Sequence, residues 1–248
     1  MTFKLDGRKA IVTGAGSGIG EAIAKAYLAQ GAHVLVVDLP EKELATTYQG
    51  MEQVVCLDQD ITTADAPGKI VELAVAAFGG IDILVNNAGQ AIGSNIENTT
   101  DELWDQIMGL NVTSMFRLTR EAVPHLKQSS AGRIINLGSI MSDMGGPDLF
   151  VYGTSKHAVA GMTKSLAVDL GKYGITANYL QPGSIVTPLS APFFEDEDFR
   201  NYWINKAPVG RLGQPVDIAH AAVFLASEEA EFVSGLGMNV DGGAIINF

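Results

Sequence analysis

Short apolar runs alternate with longer segments of helical period along the whole chain, and this alternation limits the fold more than any other feature. Most of the runs are apolar at consecutive positions, which is typical of strands that are buried on both faces. The predicted strands are Lys9–Thr13, His33–Asp38, Gln53–Leu57, Ile81–Asn86, Arg133–Leu137, Ile175–Leu180 and Leu236–Val240. The predicted helices are Gly18–Gln30, Ala66–Phe78, Asp101–Gln128, Val151–Lys172 and Pro215–Ala226. Such an alternation without an internal repeat predicts a single α/β domain over residues 1–248, with a doubly wound sheet of about seven parallel strands and helices on both faces.

The composition excludes several classes of protein. Of the 248 residues, 47% are hydrophobic and 18% are charged, so the chain can bury a sizeable core and is not intrinsically disordered. The net charge of −12 repels phosphate backbones and anionic lipid, which argues against a nucleic-acid or membrane partner. The single cysteine, Cys56, excludes an intrachain disulfide and suits a reducing compartment. No apolar run reaches the ~18 residues of a membrane span and the amino terminus lacks a signal-peptide core, so we expect a cytoplasmic protein.

Residues 184–208 do not follow the alternation. This segment contains three prolines, the acidic run 195–198 and an apolar cluster formed by Leu189, Phe193, Phe194 and Trp203. A long segment between regular elements is more often a functional lid or binding loop than a passive connection. We therefore predict a substrate lid at 184–208, and a solvated pair of surface helices is the alternative.

The first predicted strand leads through a glycine-rich turn directly into a helix. The turn has the pattern Gly14-x-x-x-Gly18-x-Gly20, and Ser17 lies within it. Glycines allow the backbone to turn tightly and to approach a pyrophosphate, while the free N–H groups at the start of the helix favour an anion. Glycine repeats also occur in plain turns, so it is the strand–turn–helix context that indicates a dinucleotide site.

The second predicted strand ends at Asp38, eighteen residues after Gly20. An acid at this place can accept hydrogen bonds from both ribose hydroxyls of an adenosine, and it would repel a 2′-phosphate. Neither Leu39, which follows it, nor Ser17 in the turn supplies a positive charge for that phosphate. The sequence therefore predicts NAD(H) rather than NADP(H) as the cofactor, and an ordinary aspartate at the end of a strand is the alternative.

Tyr152 and Lys156 are four residues apart, so on a helix they lie on one face. A free phenol has a pKa of about 10, which is too high for an efficient acid/base near neutral pH. An ammonium about 4 Å away, at an effective dielectric of about 20, would favour the phenolate enough to bring that pKa to roughly 7–8 if the pair is desolvated. We therefore predict that Lys156 lowers the pKa of Tyr152, with an unremarkable Tyr–Lys pair on a surface helix as the alternative.

Polar and glycine residues also follow other predicted strands. Ser139 follows the fifth strand, thirteen residues before Tyr152, and Asn86-Asn87-Ala88-Gly89 closes the fourth. Ligands of open α/β sheets collect at the carboxyl ends of the strands. Ser139 would therefore stand at the rim of the same crevice, where it could donate a hydrogen bond to a substrate oxygen.

Together these motifs resemble the short-chain dehydrogenase/reductase family over essentially the whole chain. The matching features are Thr13–Gly20, Asp60 after strand three, Asn86–Gly89, Asn111, Ser139, Tyr152-x-x-x-Lys156, Pro182-Gly183 and Asp241-Gly242-Gly243. The resemblance implies a Rossmann-like fold, a nicotinamide cofactor, a small-molecule alcohol or ketone as substrate, and hydride transfer between the two. It also implies a homotetramer that pairs the helices Asp101–Gln128 and Val151–Lys172 and makes contacts near Phe248.

The resemblance assigns roles to four candidate catalytic residues. Tyr152 would be the general acid/base, and Lys156 would lower its pKa and bind the nicotinamide ribose. Ser139 would position the substrate carbonyl or hydroxyl, and Asn111 would hold a water in a proton relay that runs through Lys156.

The resemblance also assigns cofactor contacts. Asp60 would bind the adenine amino group with Ile61 beside it, and Ile185 and Thr187 would hold the nicotinamide carboxamide. The full set of expected cofactor contacts is Gly14, Ser17, Gly18, Ile19, Asp38, Asp60, Ile61, Asn87, Ala88, Gly89, Tyr152, Lys156, Pro182, Gly183, Ile185 and Thr187.

Two further groups of residues bear on metal and substrate. The four histidines (His33, His125, His157 and His220) and Cys56 show no metal-ligand spacing, so no metal site is predicted. Met141 and Met144 follow Ser139 and are either core residues or a substrate wall. With the aromatic residues of the lid they would form an apolar pocket in which Asp143 is the only charged group nearby.

We therefore expect an NAD(H)-dependent oxidoreductase that interconverts a small or moderately apolar secondary alcohol and its ketone. A polyol or sugar dehydrogenase is one alternative. A 3-oxoacyl-[acyl-carrier-protein] reductase is another, although Asp38 and the net charge of −12 count against it. A non-catalytic NAD-sensing protein on the same fold is the alternative from another class, and such a protein would be expected to lose Tyr152 or Lys156.

Overall fold

The computed structural model describes residues 3–247, so the contacts expected near Phe248 lie outside the described part. Seven parallel strands form one sheet in the order β3-β2-β1-β4-β5-β6-β7. The strands are β1 (Lys9–Thr13), β2 (His33–Asp38), β3 (Val54–Asp58), β4 (Ile83–Asn86), β5 (Arg133–Leu137), β6 (Thr176–Pro182) and β7 (Gly237–Val240). This sheet confirms the predicted α/β, Rossmann-like architecture.

The helices that connect the strands lie on both faces of the sheet. They are α1 (Gly18–Ala29), α2 (Leu44–Thr47), α3 (Ala66–Phe78), α4 (Asp101–Met108), α5 (Ser114–Leu126), α6 (Phe150–Leu170), α7 (Glu197–Lys206) and α8 (Pro215–Ala226). Most ends of the predicted elements lie within two residues of the observed ones, while α2 and the 3₁₀ turn Pro40–Lys42 before it were not predicted. Within residues 3–247, no helix has the length and apolar character needed to cross a membrane.

Side chains from alternate positions of the central strands pack into two hydrophobic cores, one on each face of the sheet. In β1, Ala10 and Val12 belong to the core beneath α1 and α8, whereas Ile11 belongs to the core beneath α3 and α5. This burial on both faces explains why apolar residues follow one another in the sequence. β3 is an exception, because it lies at the edge of the sheet and none of its residues is fully buried.

The prediction of one continuous helix over Asp101–Gln128 was wrong. A π-helical turn at Gly109–Thr113 separates α4 from α5. This wider turn contains Asn111, which is 1% exposed and whose side-chain amide bonds to the backbone of Gln90 rather than within the helix. The apolar period continues through such a turn, so the sequence pattern does not reveal the break.

Residues 184–208 contain a 3₁₀ segment at Ala191–Glu195 followed by α7. The carboxylate of Asp196 accepts hydrogen bonds from the backbone N–H groups of Asp198 and Phe199, at 2.9 and 3.1 Å. The acidic run therefore caps α7 and interacts favourably with its dipole. The helical alternative describes the local structure of this segment, and its function as a lid stays a prediction.

A buried chain of amide and hydroxyl groups joins β4 and β5 to two helices. The Asn86 amide donates to Asn136 Oδ1 at 2.8 Å and to the Thr119 hydroxyl of α5 at 3.1 Å, and the Asn136 amide donates to the Thr163 hydroxyl of α6 at 2.8 Å. All four side chains are buried. Because a buried amide that lacks a partner is costly, this chain fixes the positions of the two strand ends relative to each other.

We predict that Asn136→Ala lowers the free energy of unfolding by about 2–4 kcal/mol, because it removes one buried hydrogen-bond partner from Asn86 and one from Thr163 and leaves a cavity. Urea unfolding followed by circular dichroism measures this loss. The matched control is Asn98→Ala at an exposed position, for which we expect a change of no more than about 0.5 kcal/mol. Equal effects of the two substitutions would contradict the role of the buried chain.

Candidate active site

The order of the strands reverses between β1 and β4, and a crevice opens there at the carboxyl ends of the strands. A cavity of about 720 Å³ lies at this edge. The predicted cofactor residues that line it are Gly14, Ser17, Gly18, Ile19, Asp38, Asp60, Ile61, Asn87, Ala88, Gly89 and Thr187. The structure thus brings together, around one cavity, predicted cofactor-binding residues from the ends of four strands and from the segment 184–208.

The glycine turn is held tightly against the end of β4. A Cβ atom on Gly14 would lie 2.8 Å from Ala88 Cα, and one on Gly20 would lie 2.0 Å from the Gly14 carbonyl oxygen. The Asn87 side chain donates to the Thr13 and Gly14 carbonyls, both at 2.9 Å. Only glycine fits at these close approaches, and the turn therefore presents bare backbone to the cavity, as a pyrophosphate site requires.

Asp38 is fixed by backbone groups on both sides. Its Oδ2 accepts a hydrogen bond from Gly16 N at 2.7 Å, and its Oδ1 accepts one from Leu39 N at 2.8 Å. The carboxylate therefore stabilises the turn and at the same time faces the cavity. The residues that line the cavity fit an adenine dinucleotide, with Asp38 at the place where its ribose hydroxyls would lie.

Asp60 lies in a compact turn after β3. Its Oδ1 accepts hydrogen bonds from the Thr62 backbone N–H at 2.8 Å and from the Thr62 hydroxyl at 2.7 Å. These bonds fix the carboxyl group beside Ile61 at the wall of the cavity. The sequence did not single out Thr62, because its contribution depends on this local turn.

Tyr152 and Lys156 lie one helical turn apart on α6. The Lys156 ammonium donates to the Leu137 carbonyl at 2.7 Å and lies 5.6 Å from the centroid of the Tyr152 ring. Lys156 is 6% exposed, and this burial lowers its pKa to about 8. The structure therefore holds a buried cationic side chain beside the phenol at the end of β5.

Burial is the main influence of the protein on the pKa of Tyr152. Burial raises the pKa of the Tyr152 phenol above its ordinary value, and its hydrogen-bonding neighbour Ser139 offsets only part of that rise. The Lys156 ammonium is directed to the Leu137 carbonyl and lies 5.6 Å from the centroid of the Tyr152 ring. Its predicted lowering of the Tyr152 pKa stays a prediction.

The turn after β5 positions Ser139. The Ser139 hydroxyl accepts a hydrogen bond from Met141 N at 3.2 Å, and Ser139 N donates to the Ser142 hydroxyl at 3.3 Å. Beyond this turn, the Gln181 amide of β6 donates to Asp143 Oδ2 at 2.9 Å. The sequence did not single out Gln181, because it lies far along the chain from Asp143 and only the strand order shows that β6 is next to β5.

Asn111 connects two parts of the site. Its Oδ1 accepts a hydrogen bond from Gln90 N, and its amide donates to the Gln90 carbonyl and to the Ser155 hydroxyl, at 2.9 to 3.0 Å. The Ser155 hydroxyl in turn donates to the Tyr152 carbonyl at 2.7 Å. The side chain of Asn111 thus ties the loop after β4 to the start of the helix that carries Tyr152.

Several predicted contacts lie away from the cavity. The Ile185 side chain is buried in the hydrophobic core, and its carbonyl accepts a hydrogen bond from the Ser190 hydroxyl. Gly183 packs against Asp241 and follows Pro182 at the end of β6. Neither Gly183 nor Pro182 lines the 720 Å³ cavity, and Tyr152 and Lys156 are not among its lining residues either.

The residues of the predicted apolar pocket divide into two groups. Met141 is buried beside Gly146, close to the Ser139 turn. In the segment 184–208, Phe194 and Trp203 pack on Phe199, with ring centroids 5.8 and 6.3 Å apart. Phe193 is 61% exposed.

Within residues 3–247, no group of three or more histidine, cysteine, aspartate or glutamate side chains is placed to hold a metal ion.

Comparison with known proteins agrees with this geometry. A family model described as enoyl-(acyl carrier protein) reductase matches residues 14–244. The chain is 39% identical to the 2-dehydro-3-deoxy-D-gluconate 5-dehydrogenase of Bacillus subtilis (strain 168), over 97% of this chain and 96% of that protein. It is 37% identical to the NADP-dependent (R)-specific alcohol dehydrogenase of Lentilactobacillus kefiri, over 98% of each chain.

A solved structure is similar over the full length. It is that of a candidate short-chain alcohol dehydrogenase from Sinorhizobium meliloti 1021, which is 35% identical, covers 100% of both chains and gives a TM-score of 0.94. The two relatives named above are a sugar-acid dehydrogenase and an alcohol dehydrogenase, and other relatives of similar identity are 3-oxoacyl-[acyl-carrier-protein] reductases. Both the sequence and the fold match from end to end. The chain therefore belongs to the short-chain dehydrogenase/reductase family and is an oxidoreductase of that family.

Proposed function

We propose that the protein is an NAD(H)-dependent oxidoreductase that interconverts a secondary alcohol and its ketone, with Tyr152 as the general acid/base. The observation that supports this proposal is the grouping of the Tyr152 phenol, the Ser139 hydroxyl and the buried Lys156 ammonium at the edge where the dinucleotide-sized cavity opens. A bound nicotinamide would supply or accept the hydride, and its oxidised form would bring a positive charge that favours the phenolate.

Four side chains would carry out the proton transfers and the positioning of the substrate. The Tyr152 hydroxyl donates a proton to the carbonyl oxygen during reduction, and the Tyr152 phenolate accepts the proton of the alcohol during oxidation. The Ser139 hydroxyl donates a hydrogen bond to the same substrate oxygen and fixes its orientation. Lys156 has N–H groups beyond the one bonded to Leu137, and these would hold the ribose hydroxyls and return protons to Tyr152. Asn111 would complete the relay by which Lys156 recovers its own proton.

The preference for NAD(H) rests on Asp38. Two backbone N–H groups fix its carboxylate at the wall of the cavity, so it cannot swing away from a ribose 2′ position. A phosphate at that position would meet a negative charge held in place, whereas two hydroxyls would find a hydrogen-bond acceptor.

A sugar or polyol dehydrogenase is the second candidate. The relative from Bacillus subtilis acts, by its name, on a 2-dehydro-3-deoxy sugar acid. Asp143 directly follows the Ser139 turn, and its carboxylate has the wrong sign for such an anionic substrate. This favours an uncharged alcohol or ketone as the substrate over a sugar acid.

We also propose that residues 184–208 act as a lid over the bound molecules. Thr187 and Leu189 line the cavity, which supports this role.

We further propose a homotetramer in which α5 and α6 pair between subunits. The exposed apolar side chains Phe116 on α5 and Phe150 and Val168 on α6 support this arrangement.

We predict that Tyr152→Phe folds and binds NADH but lowers kcat/KM by about 10³-fold, because only the phenolic hydroxyl group is removed. Steady-state kinetics and NADH fluorescence titration measure the two properties. Tyr173→Phe, at an exposed tyrosine before β6, is the matched control and should keep the activity. Near wild-type turnover by Tyr152→Phe would rule out the assigned acid/base.

The buried Lys156 ammonium predicts how stability depends on pH. Its pKa is near 8 in the folded chain and about 10.4 when unfolded, so between these values the unfolded chain binds more protons and the free energy of unfolding rises with pH. Relative to Lys156→Met, the wild type should gain about 2 kcal/mol between pH 7.5 and pH 10. Urea unfolding of both proteins without cofactor at each pH tests this. A constant difference would show that burial does not disfavour the charge.

A panel of substrates and cofactors tests the proposed function. We expect turnover of a neutral aryl ketone or its alcohol, with kcat/KM at least about tenfold higher for NADH than for NADPH. The other substrates are a polyol, a keto sugar acid and an acetoacetyl thioester. Turnover of the sugar acid alone would establish the second candidate. Turnover of the thioester alone would indicate an acyl-carrier reductase, and NAD binding without any turnover would indicate a binding protein.

A further inference from the structure

Lys42 lies at the adenosine end of the cavity, close to Asp38. It lines the cavity together with Asp38, and its side chain runs across the glycine turn. A Cβ atom on Gly16 would lie 2.5 Å from Lys42 Cβ and 3.1 Å from Lys42 Cγ. The stem of this lysine therefore covers the glycine whose N–H group binds Asp38.

The backbone of Lys42 belongs to an ordered turn. Lys42 N donates to the Leu39 carbonyl at 3.0 Å, and Glu43 N donates to the Pro40 carbonyl at 3.2 Å. Glu43 then ends the turn in the left-handed region, with φ at 48°. The turn that follows β2 thus directs the lysine side chain back over the site, although Lys42 lies four positions after Asp38 in the sequence.

Lys42 brings a positive charge to the wall of the cavity. Among the residues that line the cavity, it is the one cationic side chain, whereas Asp38, Asp60 and Asp105 are acidic. None of the ion pairs found within residues 3–247 includes Lys42 or Asp38. The ammonium is therefore available to an anionic group of a bound molecule.

We propose that Lys42 binds a ribose 2′-phosphate, so that the protein accepts NADP(H) as a second cofactor despite Asp38. Asp38 makes the site prefer NAD(H). The Lys42 ammonium makes this preference smaller, because its attraction for the 2′-phosphate offsets part of the repulsion by the Asp38 carboxylate. A strand-end acid with no basic residue beside it in sequence predicts a strict preference, and the fold supplies a basic residue from the next turn. This inference rests on the proposed function, since it requires that the cavity hold an adenine dinucleotide.

Binding of two cofactor fragments tests the proposal without any catalytic turnover. Adenosine 5′-monophosphate and adenosine 2′,5′-bisphosphate are titrated calorimetrically into the wild type, Lys42→Met and Lys172→Met. Methionine keeps the length of the stem and removes the charge. Lys172 lies before β6, at the edge of the sheet opposite to the cavity, so its variant controls for the change in net charge.

We expect Lys42→Met to weaken binding of the bisphosphate about tenfold and to change binding of the monophosphate less than about twofold. Lys172→Met should change neither. Raising the salt concentration should weaken the bisphosphate complex of the wild type more than that of Lys42→Met. Asp38→Asn should strengthen bisphosphate binding, and Lys42→Met in that background should reverse part of the gain.

The outcomes separate the inference from the function on which it rests. If both fragments bind and Lys42→Met affects them equally or not at all, the assignment of Lys42 is overturned while the dinucleotide site stands. If the wild type and Asp38→Asn bind the monophosphate but not the bisphosphate, the assignment is likewise overturned. If neither fragment binds the wild type, the proposed function fails and the inference fails with it.

Discussion

The ends of three neighbouring strands are joined by amide side chains, and both halves of the site depend on this junction. Asn86 and Asn136 connect β4 to β5, and Asn87 connects β4 to the glycine turn after β1. Backbone pairing alone leaves the residues beyond the strand ends free to move. The buried amides extend the order of the sheet by one or two residues past its edge, which is where the cavity and Ser139 lie.

Lys156 shows that the site is maintained at a cost in stability. Its ammonium is buried and is satisfied in the described chain by a carbonyl rather than by a carboxylate, so its charge is only partly compensated. A methionine of similar length would avoid that cost. A buried cation that lacks a carboxylate partner, next to a half-buried phenol, is the kind of local conflict that is expected at a functional site and not in a core that serves packing alone.

The sequence could locate a site residue only where the position of that residue follows from the pattern of strands. Asp38, Asn87 and Ser139 could be placed because they directly follow buried strands, and parallel strands end at a common edge. Lys42 and Gln181 could not be located in this way. Lys42 reaches Gly16 through the geometry of the turn after β2, and Gln181 reaches Asp143 because β6 lies beside β5. No local sequence pattern encodes either arrangement. The spacing of Tyr152 and Lys156 brings the two side chains to one face of α6, but it does not show that the Lys156 ammonium donates to the Leu137 carbonyl.

The glycine turn also connects the cofactor site to the segment 184–208. A Cβ atom on Gly18 would lie 3.3 Å from the Thr187 side chain, so the start of the segment packs directly on the start of α1. The Ser190 hydroxyl fixes this start by bonding to the Ile185 carbonyl and to Thr187 N. Beyond Ser190 the aromatic side chains differ in exposure: Phe193 is 61% exposed, whereas Phe194 is buried and packs on Phe199. The segment is thus anchored at the cofactor end, and the proposed lid would close by movement of its outer part while the contacts to the dinucleotide site stay in place.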